Sequence, residues 1–203
     1  MSTLDERVAE ALYRSGCIKF GTFKIKSGAS SPYYIDMARL FSVPNELEQI
    51  CEIAAAHIKK IVSPERIDKL ASIELKGALI LASIACKIHL PCIIVRKEKK
   101  TYGMMDRVAG ADVAKDDNVL FFDDVVSEGL SKLEAIEPLE ELGANVKHIM
   151  VVVDREQGGK ENLEGFGYQL HSLARISEVV NALKKSKKIS EQQTEEVLNY
   201  IKK

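Results

Sequence analysis

Residues 119–131 read VLFFDDVVSEGLS, and this stretch decides the fold. Four apolar residues lead directly into Asp123 and Asp124, and Ser-Glu-Gly-Leu-Ser follows two valines later. An apolar run without polar alternation is typical of a strand buried on both faces of a parallel sheet. Carboxylates at the end of such a strand need partners, because burying an unpaired charge is costly. The stretch therefore predicts a buried strand that ends in two carboxylates with specific binding partners.

The pattern of a buried strand followed by a helix recurs on either side of this stretch. Strands are predicted at DKLASI (68–73), CIIVRK (92–97), NVLFFDD (118–124) and VKHIMVVVD (146–154). Helices are predicted at GALILASIACKIH (77–89) and LSKLEAIEPLEELG (130–143), and a long polar loop at 98–117. This alternation predicts an α/β fold with a mostly parallel central sheet flanked by helices.

The flanking segments are expected to complete a single domain. Thr3 and Glu6 have capping-box spacing and open a first helix, which Gly16 ends. A half-exposed strand follows near Phe23 and a short strand at YYID, and Pro44 opens the next helix. The tail reads as two further helices, and Ser190 and Gln193 have capping-box spacing at the start of the second. The predicted division is a small N-terminal hood at 1–40, a core of sheet and helices at 41–175, and C-terminal helices at 176–203.

Composition excludes several classes of function. The 203 residues carry a formal net charge of −1 and 6% aromatic residues, which argues against a nucleic-acid partner. No apolar run reaches the length of about 18 residues that a membrane helix needs. The acidic, amphipathic start is unlike a signal peptide, so a cytoplasmic setting is expected. The four cysteines are scattered, and neither a disulfide framework nor a zinc site is predicted.

The carboxyl edge of the predicted sheet carries the candidate site, because ligands of such sheets bind there. Asp123 and Asp124 could accept hydrogen bonds from a sugar diol, hold Mg²⁺ directly or through water, or cap the next helix. The turn Ser127, Glu128, Gly129, Leu130, Ser131 leads into that helix, whose free N–H groups would suit a phosphate. A sugar contact beside a phosphate contact describes a ribose-5-phosphate site.

Cationic residues follow three other strands at the same edge. Arg96, Lys97 and Lys100 would suit a polyanion such as pyrophosphate, or would form a solvated basic run. Arg155 could clamp a carboxylate with two parallel hydrogen bonds, or pair with a neighbouring glutamate at the surface. Lys76 with Gly77 before an apolar helix is a weaker phosphate signal. Further upstream, Lys26 precedes Tyr33 and Tyr34, which could belong to the core, a subunit contact or a ligand site.

Taken in order, these segments resemble one family. The order is KSGxxSPYYID, LKG, VRKExKxYG, DDVVxxGxS and DREQGG, and the match runs from about residue 19 to residue 159. This is similar to orotate phosphoribosyltransferases, of the type I phosphoribosyltransferase superfamily. The lysine-rich loop and DREQGG are more specific than the paired aspartates. The resemblance implies that orotate and phosphoribosyl pyrophosphate are converted to orotidine monophosphate and pyrophosphate.

The resemblance also implies roles for residues of this chain. Asp123 and Asp124 would hold the ribose hydroxyls, and residues 127–131 would cradle the 5-phosphate. Pyrophosphate would contact Lys76, Gly77, Arg96, Lys97 and Lys100. Lys100, with Tyr102 nearby, would act catalytically from a 98–110 loop that closes over the neighbouring site of a homodimer. Lys26 and Arg155 would meet orotate, with Tyr33 and Tyr34 close by. No side chain is expected to bind metal as a dedicated ligand, and Mg²⁺ is expected mainly through substrate and water.

Glu128 and Leu130 depart from the family pattern, which usually has Thr-Thr-Gly or Thr-Ala-Gly followed by a small residue. A carboxylate about 4 Å from a phosphate costs roughly 4 kcal/mol per unit-charge pair at an effective dielectric near 20. Two outcomes are open. Either Glu128 turns outward and the backbone still binds phosphate, or the chain is a catalytically impaired relative that binds a nucleobase or nucleotide. A purine or uracil phosphoribosyltransferase fits DREQGG less well.

Overall fold

The computed structural model describes residues 3–25, 28–62, 66–98 and 107–202. Within these ranges the helices are α1 (Leu4–Arg14), α2 (Pro44–Val62), α3 (Lys76–Ile88), α4 (Leu130–Glu141), α5 (Gly159–Gly165), α6 (Ile176–Lys185) and α7 (Glu191–Ile201). The strands are β1 (Ile18–Lys24), β2 (Ser30–Ile35), β3 (Lys69–Ile73), β4 (Cys92–Val95), β5 (Val108–Gly110), β6 (Asn118–Val126), β7 (Asn145–Asp154) and β8 (Gln169–Arg175). A 3₁₀ helix spans Met37–Ser42.

The central sheet has six strands in the order β5-β4-β3-β6-β7-β8. All neighbouring pairs are parallel except β4 with β5, which is antiparallel. The predicted α/β fold with a mostly parallel sheet is therefore confirmed. No helix in the described ranges is long and apolar enough to cross a bilayer.

Residues 119–126 lie in β6, which is placed between β3 and β7 and has an apolar layer on each face. Val119 and Phe121 pack into a cluster that includes residues of α4. Leu120 and Phe122 pack into a second, larger cluster with residues of α1, α2, α3 and α6. Because side chains alternate along a strand, a strand covered on both faces must be apolar at consecutive positions. This explains the uninterrupted run that precedes Asp123.

The N-terminal and C-terminal segments contact one another. Thr3 and Glu6 form the predicted capping box of α1, and Ser190 forms a second one with Gln193 at α7. Strands β1 and β2 pair as an antiparallel hairpin apart from the main sheet. Helix α7 packs against β2, and α1 packs against α6. The division into hood, core and tail stays a prediction.

Three elements differ from the sequence-based expectation. Strand β5 lies inside the stretch expected to be a polar loop, where three residues extend the sheet beside β4. Strand β8 and helix α5 were not predicted. Strand β8 reads QLHSLAR, and only two of its seven residues are fully buried because it is an edge strand. Helix α5 has seven residues, too few for a clear helical periodicity.

Candidate active site at the carboxyl edge of the sheet

Asp123 and Asp124 lie at the end of β6, and their side chains are engaged differently. The Asp123 carboxylate is buried, with its Oδ1 accepting a hydrogen bond from the Asp124 amide at 2.8 Å and its Oδ2 paired with Lys132. The Asp124 Oδ1 accepts from the Val125 amide at 2.9 Å, and its Oδ2 lies 3.1 Å from the Lys76 Nζ. Both carboxylates thus have partners within the chain, but the cation at Asp123 is buried whereas the cation at Asp124 is half-exposed.

Burial dominates the electrostatics of the acid pair. It raises the pKa of Asp123 to about 6; the Lys132 ammonium opposes this rise and the Asp124 carboxylate adds to it. Partial burial acts to lower the pKa of Lys76, but the Asp124 carboxylate, together with smaller contributions from Asp36 and Tyr34, leaves the pKa of Lys76 raised. Lys76 therefore stays cationic beside Asp124, at the position where the sequence predicts a pyrophosphate contact.

Lys132 is a site residue that the sequence reasoning missed. A lysine in the first turn of a helix ordinarily faces solvent, yet Lys132 is only 6% exposed. Ala135, Ile136 and Leu139 are buried with it, so Lys132 occupies the buried face of α4. Lys132 lies three, four and seven residues before these positions, a spacing typical of one helix face, and this spacing could have predicted its burial.

Gly77 lies beside Asp123 at the beginning of α3. A Cβ atom at this position would meet the Asp123 Oδ1, and it would lie 2.5 Å from the Ser72 Oγ. Real Cβ atoms do not approach other atoms so closely, so only glycine fits without displacing Asp123 or Ser72. Gly77 has a steric role at the acid pair, in addition to the pyrophosphate contact that the family resemblance predicts.

The turn from Ser127 to Ser131 connects β6 to α4 and rests on α5. Gly129 has φ 88°, and a Cβ there would lie 3.0 Å from the Leu163 Cγ. The Glu128 carbonyl accepts a hydrogen bond from the Asn162 Nδ2 at 2.9 Å. Asn162 is therefore a second residue that sequence reasoning missed, and it fixes the backbone of the predicted phosphate turn.

The exposure of the side chains in this turn distinguishes between the two outcomes left open for Glu128. Glu128, Leu130 and Ser131 are exposed and Ser127 is partly buried, with Leu130 at 54% exposure. An exposed carboxylate is surrounded by water of high dielectric, where its repulsion of a nearby phosphate is weak. The first of the two outcomes, an outward Glu128 with the backbone left to bind phosphate, fits this exposure.

Arg155 connects the phosphate turn to the N-terminal hairpin. Its Nη1 donates to the Ser127 Oγ at 3.4 Å, and its Nε donates to the Tyr33 hydroxyl at 3.0 Å. The guanidinium also lies 5.0 Å from the centre of the Tyr33 ring. The hairpin and the end of β7 thus place a half-buried cation next to the turn, with Nη2 making none of these contacts.

The two tyrosines of the hairpin differ in exposure. Tyr33 is fully buried, with its ring edge-on to Tyr200 at 6.0 Å between centroids, and burial raises its pKa. The Tyr33 hydroxyl accepts from Arg155, and the predicted contact of Tyr33 with substrate stays a prediction. Tyr34 is 47% exposed, and its ring centre lies 5.7 Å from that of Phe23.

The predicted pyrophosphate residues come together only in part within the described ranges. The Lys97 amide donates to the Glu74 Oε1 at 2.8 Å, which joins the end of β4 to the loop before Lys76. Arg96 is partly buried and Lys97 is exposed. Lys26, Lys100 and Tyr102 lie outside the described residues, so their predicted roles stay predictions.

The described residues contain no group of three or more side chains of the His, Cys, Asp or Glu type that could hold a metal ion. Within the acid pair, Asp123 is paired with Lys132 and Asp124 with Lys76. The expectation that Mg²⁺ is held mainly through substrate and water stays a prediction.

The paired acids, the glycine turn opening α4 and the mostly parallel sheet define a type I phosphoribosyltransferase fold. No family model matches the chain. It is 36% identical to orotate phosphoribosyltransferase from Pyrococcus abyssi over 91% of this chain and 100% of that protein. It is also 40% identical to bovine uridine 5'-monophosphate synthase over 94% of this chain, but spans only 39% of that longer protein.

Two solved structures agree with these relatives. Leishmania donovani UMP synthase superimposes with a TM-score of 0.86 and 32% identity, covering 97% of this chain and 42% of that one. Orotate phosphoribosyltransferase from Aeropyrum pernix superimposes with a TM-score of 0.73 and 26% identity, covering 90% of this chain and 99% of that one. The chain belongs to the orotate phosphoribosyltransferase family.

Proposed function

We propose that this chain transfers the ribose-5-phosphate of phosphoribosyl pyrophosphate to orotate, giving orotidine monophosphate and pyrophosphate in pyrimidine biosynthesis. The observation that carries the proposal is the pairing of Lys76 with Asp124 beside a turn that Arg155 contacts, all at one sheet edge. These contacts occur in a chain whose relatives of matching length are named orotate phosphoribosyltransferases. The alternative, a catalytically impaired binding protein, has less support, because that hypothesis required the Glu128 carboxylate to occupy the phosphate-binding position.

The ribose and its phosphate would bind between β6 and α4. Asp124 would accept hydrogen bonds from the ribose hydroxyls, with Asp123 behind it. The backbone of the 127–131 turn would hold the 5-phosphate, since N–H groups at a helix start favour an anion. Asn162 supports this role by fixing the carbonyl of Glu128.

Orotate would bind on the side of the hairpin. Its carboxylate would meet Arg155, whose fork-shaped guanidinium matches a carboxylate better than a lysine would. The Tyr33 hydroxyl orients this guanidinium through the Nε hydrogen bond. Lys26 and Tyr34 are proposed to complete the orotate side.

The reaction breaks the bond between C1 of the ribose and the pyrophosphate oxygen, and a bond forms between C1 and a ring nitrogen of orotate. Negative charge develops on the leaving pyrophosphate, so cations aimed at it stabilise the transition state. Lys76, Arg96 and Lys97 would supply part of that charge, and Lys100 would act from the 98–110 loop of a neighbouring subunit in a homodimer. Closure of such a loop would exclude water and suppress hydrolysis.

Mg²⁺ is proposed as the metal, carried by pyrophosphate oxygens and water. When bound, it would neutralise part of the charge on the leaving group. The chain's own contribution is to hold the sugar at Asp124 and to present cations to the pyrophosphate. We also propose that the protein is a homodimer in the cytoplasm.

The test is an initial-rate assay that follows orotate absorbance with phosphoribosyl pyrophosphate and Mg²⁺. Uracil is the matched control base, because it has the same ring but lacks the carboxylate. Arg155→Leu should lower kcat/KM for orotate by about a hundredfold or more, the value of a lost charge-assisted pair. Arg175→Leu is the control variant, because Arg175 is exposed and paired with Glu178. No turnover of orotate at high enzyme concentration would end the proposal.

A further inference from the structure

Lys132 and Asp123 form a buried ion pair directly behind the proposed ribose site. Each side chain is only 7% exposed. A buried ammonium or carboxylate is costly on its own, and removing one partner of such a pair leaves an uncompensated charge. The pair therefore has consequences for Asp123 beyond the packing of α4.

The charged groups around Asp123 come from three elements. From β6 comes Asp124, whose amide donates to the Asp123 Oδ1 at 2.8 Å. From α4 comes Lys132, and from α3 comes Lys76, which lies 3.1 Å from the Asp124 Oδ2. Strand β3 presents the uncharged Ser72 nearby, and β7 presents Val151 opposite Asp123. Each acid thus has its own cation.

The two cations have different effects on the acid pair. Burial raises the pKa of the Asp123 carboxyl, and the neighbouring Asp124 carboxylate adds to this rise. The Lys132 ammonium opposes both effects from inside the protein, where no substrate displaces it. Lys76 is 41% exposed and could turn from Asp124 to a pyrophosphate group when substrate binds.

We propose that Lys132 is a positioning residue for the transferase reaction, one that keeps Asp123 ionised and turned inward. The Asp124 carboxylate, whose cation is the half-exposed Lys76, is then left to accept from the ribose hydroxyls. The inference rests on the proposed function for its catalytic consequence. Its physical core, the dependence of Asp123 ionisation on Lys132, does not require turnover.

The first test is the pH profile of kcat/KM for phosphoribosyl pyrophosphate in wild type and Lys132→Met. Methionine has a similar length and no charge. The acid limb should move upward by about one to two pH units in Lys132→Met, because an adjacent opposite charge has been removed. Lys184→Met is the control, because Lys184 is an exposed partner of Glu191 far along the chain. Superimposable profiles for wild type and Lys132→Met would overturn the proposal.

The second test uses ligand-free protein with carbon-13-labelled aspartate carboxyl groups. The resonance absent from Asp123→Asn identifies Asp123, and it should titrate at a higher pH in Lys132→Met than in wild type. An unchanged titration overturns the inference even when wild type turns over orotate. Failure of wild type to turn over orotate overturns the proposed function while this titration still decides the role of Lys132.

A third variant covers the case in which Lys132→Met does not fold. Asp123→Asn combined with Lys132→Met removes both charges together and leaves neither unpaired. This double variant should fold at a higher unfolding midpoint than Lys132→Met, and it should lack the raised acid limb. A double variant as unstable as the single one would mean that Lys132 acts through packing alone, and the proposal would be wrong.

Discussion

Replacement of Glu128 by glutamine tests how the unusual phosphate turn accommodates its substrate. Glutamine keeps the size of the side chain and the backbone carbonyl that accepts from Asn162, but it removes the negative charge. Glu128 is exposed, so its interaction with a bound phosphate passes largely through water. The change should therefore strengthen phosphoribosyl pyrophosphate binding only slightly.

The two possible orientations of Glu128 differ greatly in magnitude. At about 4 Å, one unit-charge pair costs about 1 kcal/mol in water and about 4 kcal/mol at an effective dielectric near 20. For a phosphate with two charges these become about 2 and about 8 kcal/mol before salt screening. Since each 1.4 kcal/mol is about tenfold, the exposed orientation predicts a gain below roughly thirtyfold. A carboxylate inside the phosphate seat predicts a gain of several orders of magnitude.

Isothermal titration calorimetry with phosphoribosyl pyrophosphate measures this gain directly. Titrations at about 0.01 M and about 0.15 M salt should show a smaller gain at the higher value, because screening weakens interactions between exposed charges. Glu137→Gln is the matched control, since Glu137 is exposed on α4 beyond the turn. A gain of more than roughly a hundredfold, unaffected by salt, would refute the outward orientation.

Three further changes address the acid pair, the turn and acid stability. Gly77→Ala should displace Asp123 and lower stability by about 1–3 kcal/mol, measured by urea unfolding; unchanged stability would contradict the close approach. Asn162→Ala should raise KM for phosphoribosyl pyrophosphate about tenfold with little change in kcat, since one hydrogen bond to the Glu128 carbonyl is lost. Burial lowers the pKa of His171 to about 4, whereas the unfolded chain takes up a proton at this residue near pH 6.5. Wild type should therefore lose stability as pH falls from about 6.5 towards 4. His171→Gln should lose less stability over this range, and an equal loss in both proteins would show that His171 does not cause it.

Much of the core was predictable because hydrophobic pattern and burial agree there. The apolar run before Asp123 could only be a strand covered on both faces, and the capping residues marked the beginnings of α1 and α7. The missed elements are short or lie at the sheet edge, where few residues are fully buried. Strand β5 has three residues, and its pairing with β4 depends on tertiary contact rather than on local pattern.

The position of several candidate residues at one edge of the sheet was predictable, but their contacts with other side chains were not. The residue types at the strand ends indicated a sugar-phosphate site, and Asp124, Lys76 and Arg155 do lie at that edge. The engagement of Asp123 by Lys132 was missed because a lysine among glutamates reads as a surface residue. The exposure of Glu128 was left open, because contacts of the turn with Asn162 in α5 fix its backbone.

The proposed reaction joins orotate to the ribose-5-phosphate of phosphoribosyl pyrophosphate. Phosphorus-31 NMR of the purified protein with both substrates and Mg²⁺ follows every phosphorus-containing species at once. We predict that phosphoribosyl pyrophosphate disappears while orotidine monophosphate and pyrophosphate appear in equal amounts, and that omitting orotate stops the reaction. A spectrum that stays unchanged, or that shows ribose-5-phosphate from hydrolysis in place of the nucleotide, would contradict the claim.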